Sequence, residues 1–149
     1  MTSAHDQLLR RWFQEVWNEG RGATIDELFA PDAIAHGLGE HGRDARGPAE
    51  FRPFFEVLRS AFPDFHITVD DTVVEGDHAA CRWTAEGTHA GAFGELPPSG
   101  RRFKVSGMSF VRIRGGQIVE GWNSWDLHGL LQQIAPDAGR APVTLVKER

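Results

Sequence analysis

No tyrosine occurs in the 149 residues, against ten Phe and five Trp. A phenol is therefore excluded as general acid or oxyanion donor. One cysteine, Cys81, excludes an intrachain disulfide and a zinc cluster built on cysteines alone. Basic charge is in deficit: 16 Lys and Arg face 21 Asp and Glu, for a net charge of −5. That balance argues against a nucleic-acid face and against a Lys/Arg-rich membrane-surface helix. No apolar run reaches the roughly 18 residues of a bilayer span. Asp6, Arg10, Arg11, Glu15 and Glu19 interrupt the first segment, which does not read as a targeting signal. A soluble cytoplasmic protein is expected. At 40% apolar residues the chain can build a core. Its length is that of one domain, expected over residues 1–149 with 136–149 as a tail.

The first half has a helical period. Leu8, Leu9, Trp12, Phe13, Val16 and Trp17 form one stripe of a helix capped by Ser3 and stopped by Gly20 and Gly22. Thr24 as N-cap, Glu27, Leu28 and Phe29 predict a short second helix ended by Pro31. A third, over residues 48–62, buries Phe51, Phe54, Phe55, Leu58 and Phe62, with Pro53 bending its first turns. After Pro63 the period falls to 2. Segments 66–75, 78–89, 102–114 and 117–125 read as strands, with a Gly115-Gly116 hairpin between the last two. A last short helix starts near Asp126. Residues 143–146 are read as an edge strand or a segment lying on a partner. Helices followed by a four-stranded antiparallel meander give an α+β order. Such a sheet, curved around a long helix, leaves a conical cavity. Its outer face needs cover, most simply from a second copy.

Several motifs then stand in a specific order: Phe62-Pro63-Asp64, Gly87-Thr88-His89-Ala90-Gly91, Pro97-Pro98-Ser99-Gly100-Arg101, Gly116-Gln117-Ile118-Val119-Glu120, and Asp126 to Gln133. Over about residues 8–134 the chain resembles the SnoaL-like polyketide cyclase (ester cyclase) family of the NTF2-like superfamily. The resemblance implies a cone-shaped α+β barrel, N-terminal helices packed on a curved antiparallel sheet, usually a homodimer with a deep apolar pocket. It implies ring closure by intramolecular aldol condensation, with an Asp acid/base on the last long strand. That position falls on Asn123 here, a supporting His on Ser109, and a supporting Asn near Ala35, beside His36. An amide cannot act as general base. The missing tyrosine favours this branch over ketosteroid isomerase and scytalone dehydratase, which rely on tyrosine hydroxyls.

Candidate site residues follow. His36 offers a base near neutral pH, or an imidazole bonded to the 37–42 loop. Asp126 offers a carboxylate at the pocket mouth, or the N-cap of the last helix. Asn123 and Ser109 can hold a substrate oxygen. Trp17, Phe55, Trp83 and Trp125 are expected on the cavity wall. Strand alternation puts Asn123, Trp125, Ser109 and Val111 inside, and Met108, Phe110 and Trp122 outside as a dimer patch. Arg82, Glu86 and Thr84 share a face that is either a pocket pair or a solvated one. His36, His41, His89 and His128 match no metal-ligand spacing and are read as surface histidines. No metal and no cofactor is expected.

The leading reading is an enzyme acting on an apolar, carbonyl-bearing substrate by cyclisation, isomerisation or hydration, with His36 moving the proton. The alternative is a non-catalytic module binding a hydrophobic ligand, since the cyclase Asp is replaced by Asn123. An epoxide hydrolase-like relay through Asp126 and Arg82 ranks third, because a second Asp has no candidate.

Overall fold

The computed structural model describes residues 3–38 and 43–135. Helix α1 (Ala4–Arg11) is capped by the Ser3 hydroxyl, which accepts from the Asp6 N–H. It continues as a widened helical stretch over Trp12–Asn18, whose end is closed by an i→i+5 bond from Glu19 N–H to the Gln14 carbonyl at 2.9 Å. A regular helix was expected throughout. The wider turn gathers Trp12, Phe13, Val16 and Trp17 on one buried face.

Helix α2 spans Gly22–Leu28. Thr24 does not cap it; its hydroxyl donates to Glu15 Oε1 at 2.7 Å instead. The helix stops before Pro31, because strand β1 (Phe29–His36) already carries that proline. Pairing shifts register between Phe29 and Ile34, so the missing N–H of Pro31 falls in an irregular stretch. A two-residue strand β2 (Ala45–Arg46) leads into α3 (Gly47–Ala61). Strands β3 (His66–Glu75), β4 (His78–Thr88), β5 (Arg102–Arg114) and β6 (Gln117–Trp125) follow, then α4 (Leu127–Ile134). Gly115 and Gly116 both have positive φ, as the tight β5–β6 hairpin requires.

The sheet has six strands in the order β2-β1-β6-β5-β4-β3. The expected meander is four of these; β1, parallel to β6, and β2 extend it. The sheet is open, with β2 and β3 at its edges. Helices cover one face, and its buried rows are readable across the strands. Ser109 pairs with Cys81 on one side and Asn123 on the other, and Gly107 likewise with Trp83 and Trp125. The other face carries Val73, Ala80, Phe110, Trp122 and His36 in a single row. The tail expectations, the 143–146 strand included, and His41 lie outside the described residues.

Candidate functional site: an apolar cavity with one polar row

The helical face and the buried sheet rows enclose a cavity of about 70 Å³. Trp12, Phe13 and Trp17 come from the widened helix, Phe51, Phe54 and Leu58 from α3, and Trp83, Ser109, Val111, Asn123 and Trp125 from the sheet. Aromatic packing fixes this wall: the Trp17 ring centroid lies 5.4 Å from Phe65 and 6.0 Å from Phe54. Gly107 supplies the room for the two sheet indoles. A Cβ there would stand 2.5 Å from the Trp83 ring and 2.8 Å from Trp125 Cβ.

One polar row crosses the wall. Trp83 Nε1–H donates to Ser109 Oγ at 3.1 Å, and Ser109 Oγ–H donates to Asn123 Oδ1 at 2.8 Å. Asn123 Nδ2–H donates to the His36 carbonyl at 3.0 Å. The backbone approach that permits this contact depends on Gly37, at φ +76°, where a Cβ would collide with the Asn123 carbonyl. Trp125 Nε1–H is taken by the Leu38 carbonyl at 3.0 Å. Among the described residues, none of the side chains lining the cavity is a carboxylate, a histidine, a lysine or an arginine.

The structure therefore gathers Asn123, Ser109, Trp17, Trp83 and Trp125 around one void, with Val111 beside them. Phe55 is buried and its ring lies 5.7 Å from Trp17, but Phe51 and Phe54 line the cavity in its place. Helix α3 was correctly phased, and the choice among its phenylalanines was not decidable from periodicity. Trp12, Phe13 and Leu38 are further wall residues that the sequence did not single out.

His36 is elsewhere. Its ring stacks on Trp122 on the outer face, with centroids 5.5 Å apart. Nδ1 contacts Asp44 Oδ1 at 2.9 Å and Nε2 contacts Glu120 Oε2 at 2.8 Å. Both ring nitrogens face carboxylate oxygens, a setting that favours the protonated ring. Hydrogen bonding to Glu120, with Asp44 adding to it against some desolvation, holds the His36 pKa above its usual value. His36 also leads the causes that lower the Glu120 pKa, with Arg112 at 3.2 Å second. His36 is not among the residues lining the cavity, and both of its ring nitrogens face carboxylates. Strand alternation puts Glu120 on the same face as Trp122.

Asp126 caps α4: its Oδ1 accepts from Gly129 N–H at 2.8 Å. Arg82, Thr84 and Glu86 are solvated on the outer face, where Thr84 donates to Asp70 at 2.7 Å. His128 is an exposed residue of α4. His89 is not a surface residue. It is fully buried, with Nδ1 accepting from Ser99 N–H at 3.2 Å and Nε2 unpartnered, and burial lowers its pKa. Burial likewise pushes the Cys81 thiol up to about 12, so it is no nucleophile. Among the described residues no three His, Cys, Asp or Glu side chains converge as a metal site.

Comparison with known proteins gives a consistent set of relatives. The sequence profile of SnoaL-like polyketide cyclases matches residues 7–134. Nogalonic acid methyl ester cyclase of Streptomyces nogalater is 28% identical over 121 residues, 80% of this chain and 89% of the relative. Aklanonic acid methyl ester cyclase DnrD of Streptomyces peucetius is 26% identical over 133 residues, 89% and 91% of the two chains. Among solved structures, wild-type IdmH of Streptomyces antibioticus has a TM-score of 0.75 at 34% identity, covering 87% of this chain and 96% of its own. TsrD of Streptomyces laurentii has a TM-score of 0.77 at 31% identity, covering 91% and 98%.

Proposed function

The chain belongs to the SnoaL-like polyketide cyclase family, and on that footing we propose that it closes a ring in an apolar, carbonyl-bearing polyketide held against Asn123. Its four helices and open six-stranded sheet are the α+β, NTF2-like fold of these proteins. The observation that carries the reading is the Asn123 amide, fixed by Ser109 and the His36 carbonyl in an otherwise apolar wall. A ketone hydrogen-bonded there becomes a better electrophile, and the negative charge that develops on its oxygen is stabilised. Aldol closure forms one carbon–carbon bond between an enol carbon and that ketone carbon. The enol proton ends on the new alkoxide. The α-proton of a β-dicarbonyl substrate is acidic by its own structure, so the pocket need only fold the chain and polarise the ketone. Asn123 and Ser109 bind the oxygen, while Trp17, Trp83 and Trp125 shape the wall. His36 and Asp126 hold the scaffold. The void, at about 70 Å³, is smaller than a fused-ring substrate. Binding therefore shifts wall side chains, and Phe54 and Trp125, both partly buried, have the most freedom to move.

Incubation with nogalonic and aklanonic acid methyl esters tests this. An isomer of unchanged mass should form faster than in buffer, and Asn123→Leu should slow it by roughly 10- to 1000-fold. A wild-type rate equal to buffer overturns the cyclase reading. The absence of an ionisable side chain among the described wall residues favours a second reading, a non-catalytic ligand carrier. Tight ester binding without turnover would select it.

The proposal includes a cytosolic location and a homodimer through the outer sheet face. Val73, Met108, Phe110 and Trp122 are all exposed there, around a groove of about 460 Å³. No described helix is long and apolar enough to cross a membrane.

A further inference from the structure

We infer that Trp83 sets the polarity of the cavity's hydrogen-bond row, so that the pocket presents Asn123 as a donor and selects ligands by an accepting oxygen. This rests on the reading of the cavity as a ligand site, and deepens it by naming the ligand's chemical requirement. The row has two ends of fixed sense. An indole N–H only donates, so Ser109 Oγ accepts from Trp83 Nε1 at 3.1 Å. A backbone carbonyl only accepts, so the Asn123 atom 3.0 Å from the His36 oxygen is the amide nitrogen. Asn123 Oδ1 then faces Ser109 at 2.8 Å, and the hydroxyl hydrogen must lie in that contact. Each group is thereby committed in one direction.

What is left over is specific. The second Asn123 N–H has no partner among the described residues, and Asn123 lines the cavity. Two of the other donors on the wall are spent: Trp125 Nε1–H on the Leu38 carbonyl and Ser109 Oγ–H on Asn123. Donation to Asn123 Oδ1 also polarises the amide and strengthens its remaining N–H as a donor. A ligand ketone or ester oxygen completes the row, whereas a ligand N–H or O–H donor meets another donor. Trp83 does not touch the reacting atoms in this scheme. It is a positioning residue: without its N–H the Ser109 hydroxyl can rotate away, and Asn123 Oδ1 loses the donor that polarises the amide.

The test uses three probes with one fused bicyclic skeleton: 1-indanone, which only accepts, indole, which donates, and indane, which does neither. Affinities are measured by ligand-detected NMR titration on the full chain, for wild type, Trp83→Phe and Asn123→Leu. A fourth variant replaces Trp83 by benzothienylalanine through codon suppression. That side chain keeps the ring shape and lacks the N–H, so it preserves packing if Trp83→Phe does not fold. The indanone-to-indane affinity ratio should fall about 3- to 10-fold in both Trp83 variants, and at least as far in Asn123→Leu. The indole-to-indane ratio should not fall. Isotope-edited infrared spectra should show the indanone carbonyl stretch at lower frequency on wild type than on the Trp83 variants. A purely packing role for Trp83 would move all three affinities together and leave the stretch where it is. An unchanged indanone ratio in the folded variants overturns the inference while leaving the ligand cavity standing. Failure of every probe to bind wild type overturns the cavity reading, and the inference with it.

Discussion

His36 bridges two carboxylates, Asp44 at 2.9 Å and Glu120 at 2.8 Å, and its pKa is raised by them, Glu120 foremost. A group with a raised folded pKa adds stability in full below its ordinary value, 6.5 for this histidine. That stability is lost as pH rises through the higher folded value. His36→Gln should therefore lower the urea midpoint at pH 6 and differ much less from wild type at pH 9. It should leave probe binding in the cavity intact, because the ring lies on the other face of the sheet. Loss of ligand affinity with unchanged stability would return His36 to the site. Gly107 makes a second case at this scale. Its missing Cβ is filled by the Trp83 ring at 2.5 Å, with Trp125 at 2.8 Å on the other side. Gly107→Ala overpacks that row and should cost about 1–3 kcal/mol in urea unfolding, and it should weaken ligand binding by displacing the two indoles. The sequence could carry the inward parity of Asn123, Ser109 and Trp125, since alternation is local. It could not carry the His36 pairing, because Glu120 is 84 residues away in the chain. Nor could it show that Trp83 aims its N–H at Ser109, a contact set by a side-chain rotamer.

Elements differ in how much of themselves they show in sequence. The antiparallel strands β3, β5 and β6 are legible to the residue, because Gly and Asp turns punctuate regular alternation. Strand β1 is not, since Pro31 and Asp32 break its pattern and its partner β6 lies at the far end of the chain. The widened helix at Trp12–Asn18 is hidden for another reason: an apolar stripe fits either helical period, and tertiary burial of four large residues decides between them. The residue before helix α4, Asp126, had two explanations, and the observed bond from Gly129 N–H to it favours the cap. Asp126→Ala should then lower stability by about 1 kcal/mol, while Asp126→Asn, also a good cap, recovers most of it. Thermal melts followed by circular dichroism check the order. If Asp126→Asn instead loses turnover on the methyl esters at unchanged melting temperature, the carboxylate is doing chemistry and the cap is incidental.

At the scale of the whole molecule the sheet has two faces with different tasks. The helices cover one. The other leaves Met108 62% exposed, Phe110 46% and Trp122 40% in adjacent strand positions, with Val73 at 65% in the same row as Phe110. A contiguous apolar patch of this kind is costly in water and is usually covered. Charged groups rim it: His36, Glu120 and Arg112 at one side and Arg82 near Asp71 at the other. A two-fold related copy would bring apolar centre to apolar centre and could set the opposite charges of the rims together. Phe110 sits in the middle, between Trp122 at 5.8 Å and His78 at 5.2 Å. Phe110→Glu would bury one unpaired carboxylate per protomer in such an interface. It should weaken self-association by at least about a hundredfold, read by analytical ultracentrifugation. Val57→Glu serves as the control, because Val57 is an exposed apolar residue of α3 away from the patch; it should leave the association unchanged. Phe110 points away from the cavity, so probe affinity per protomer should survive its substitution. A dimer that persists in Phe110→Glu would show that the copies meet through a different surface and that this face has another occupant.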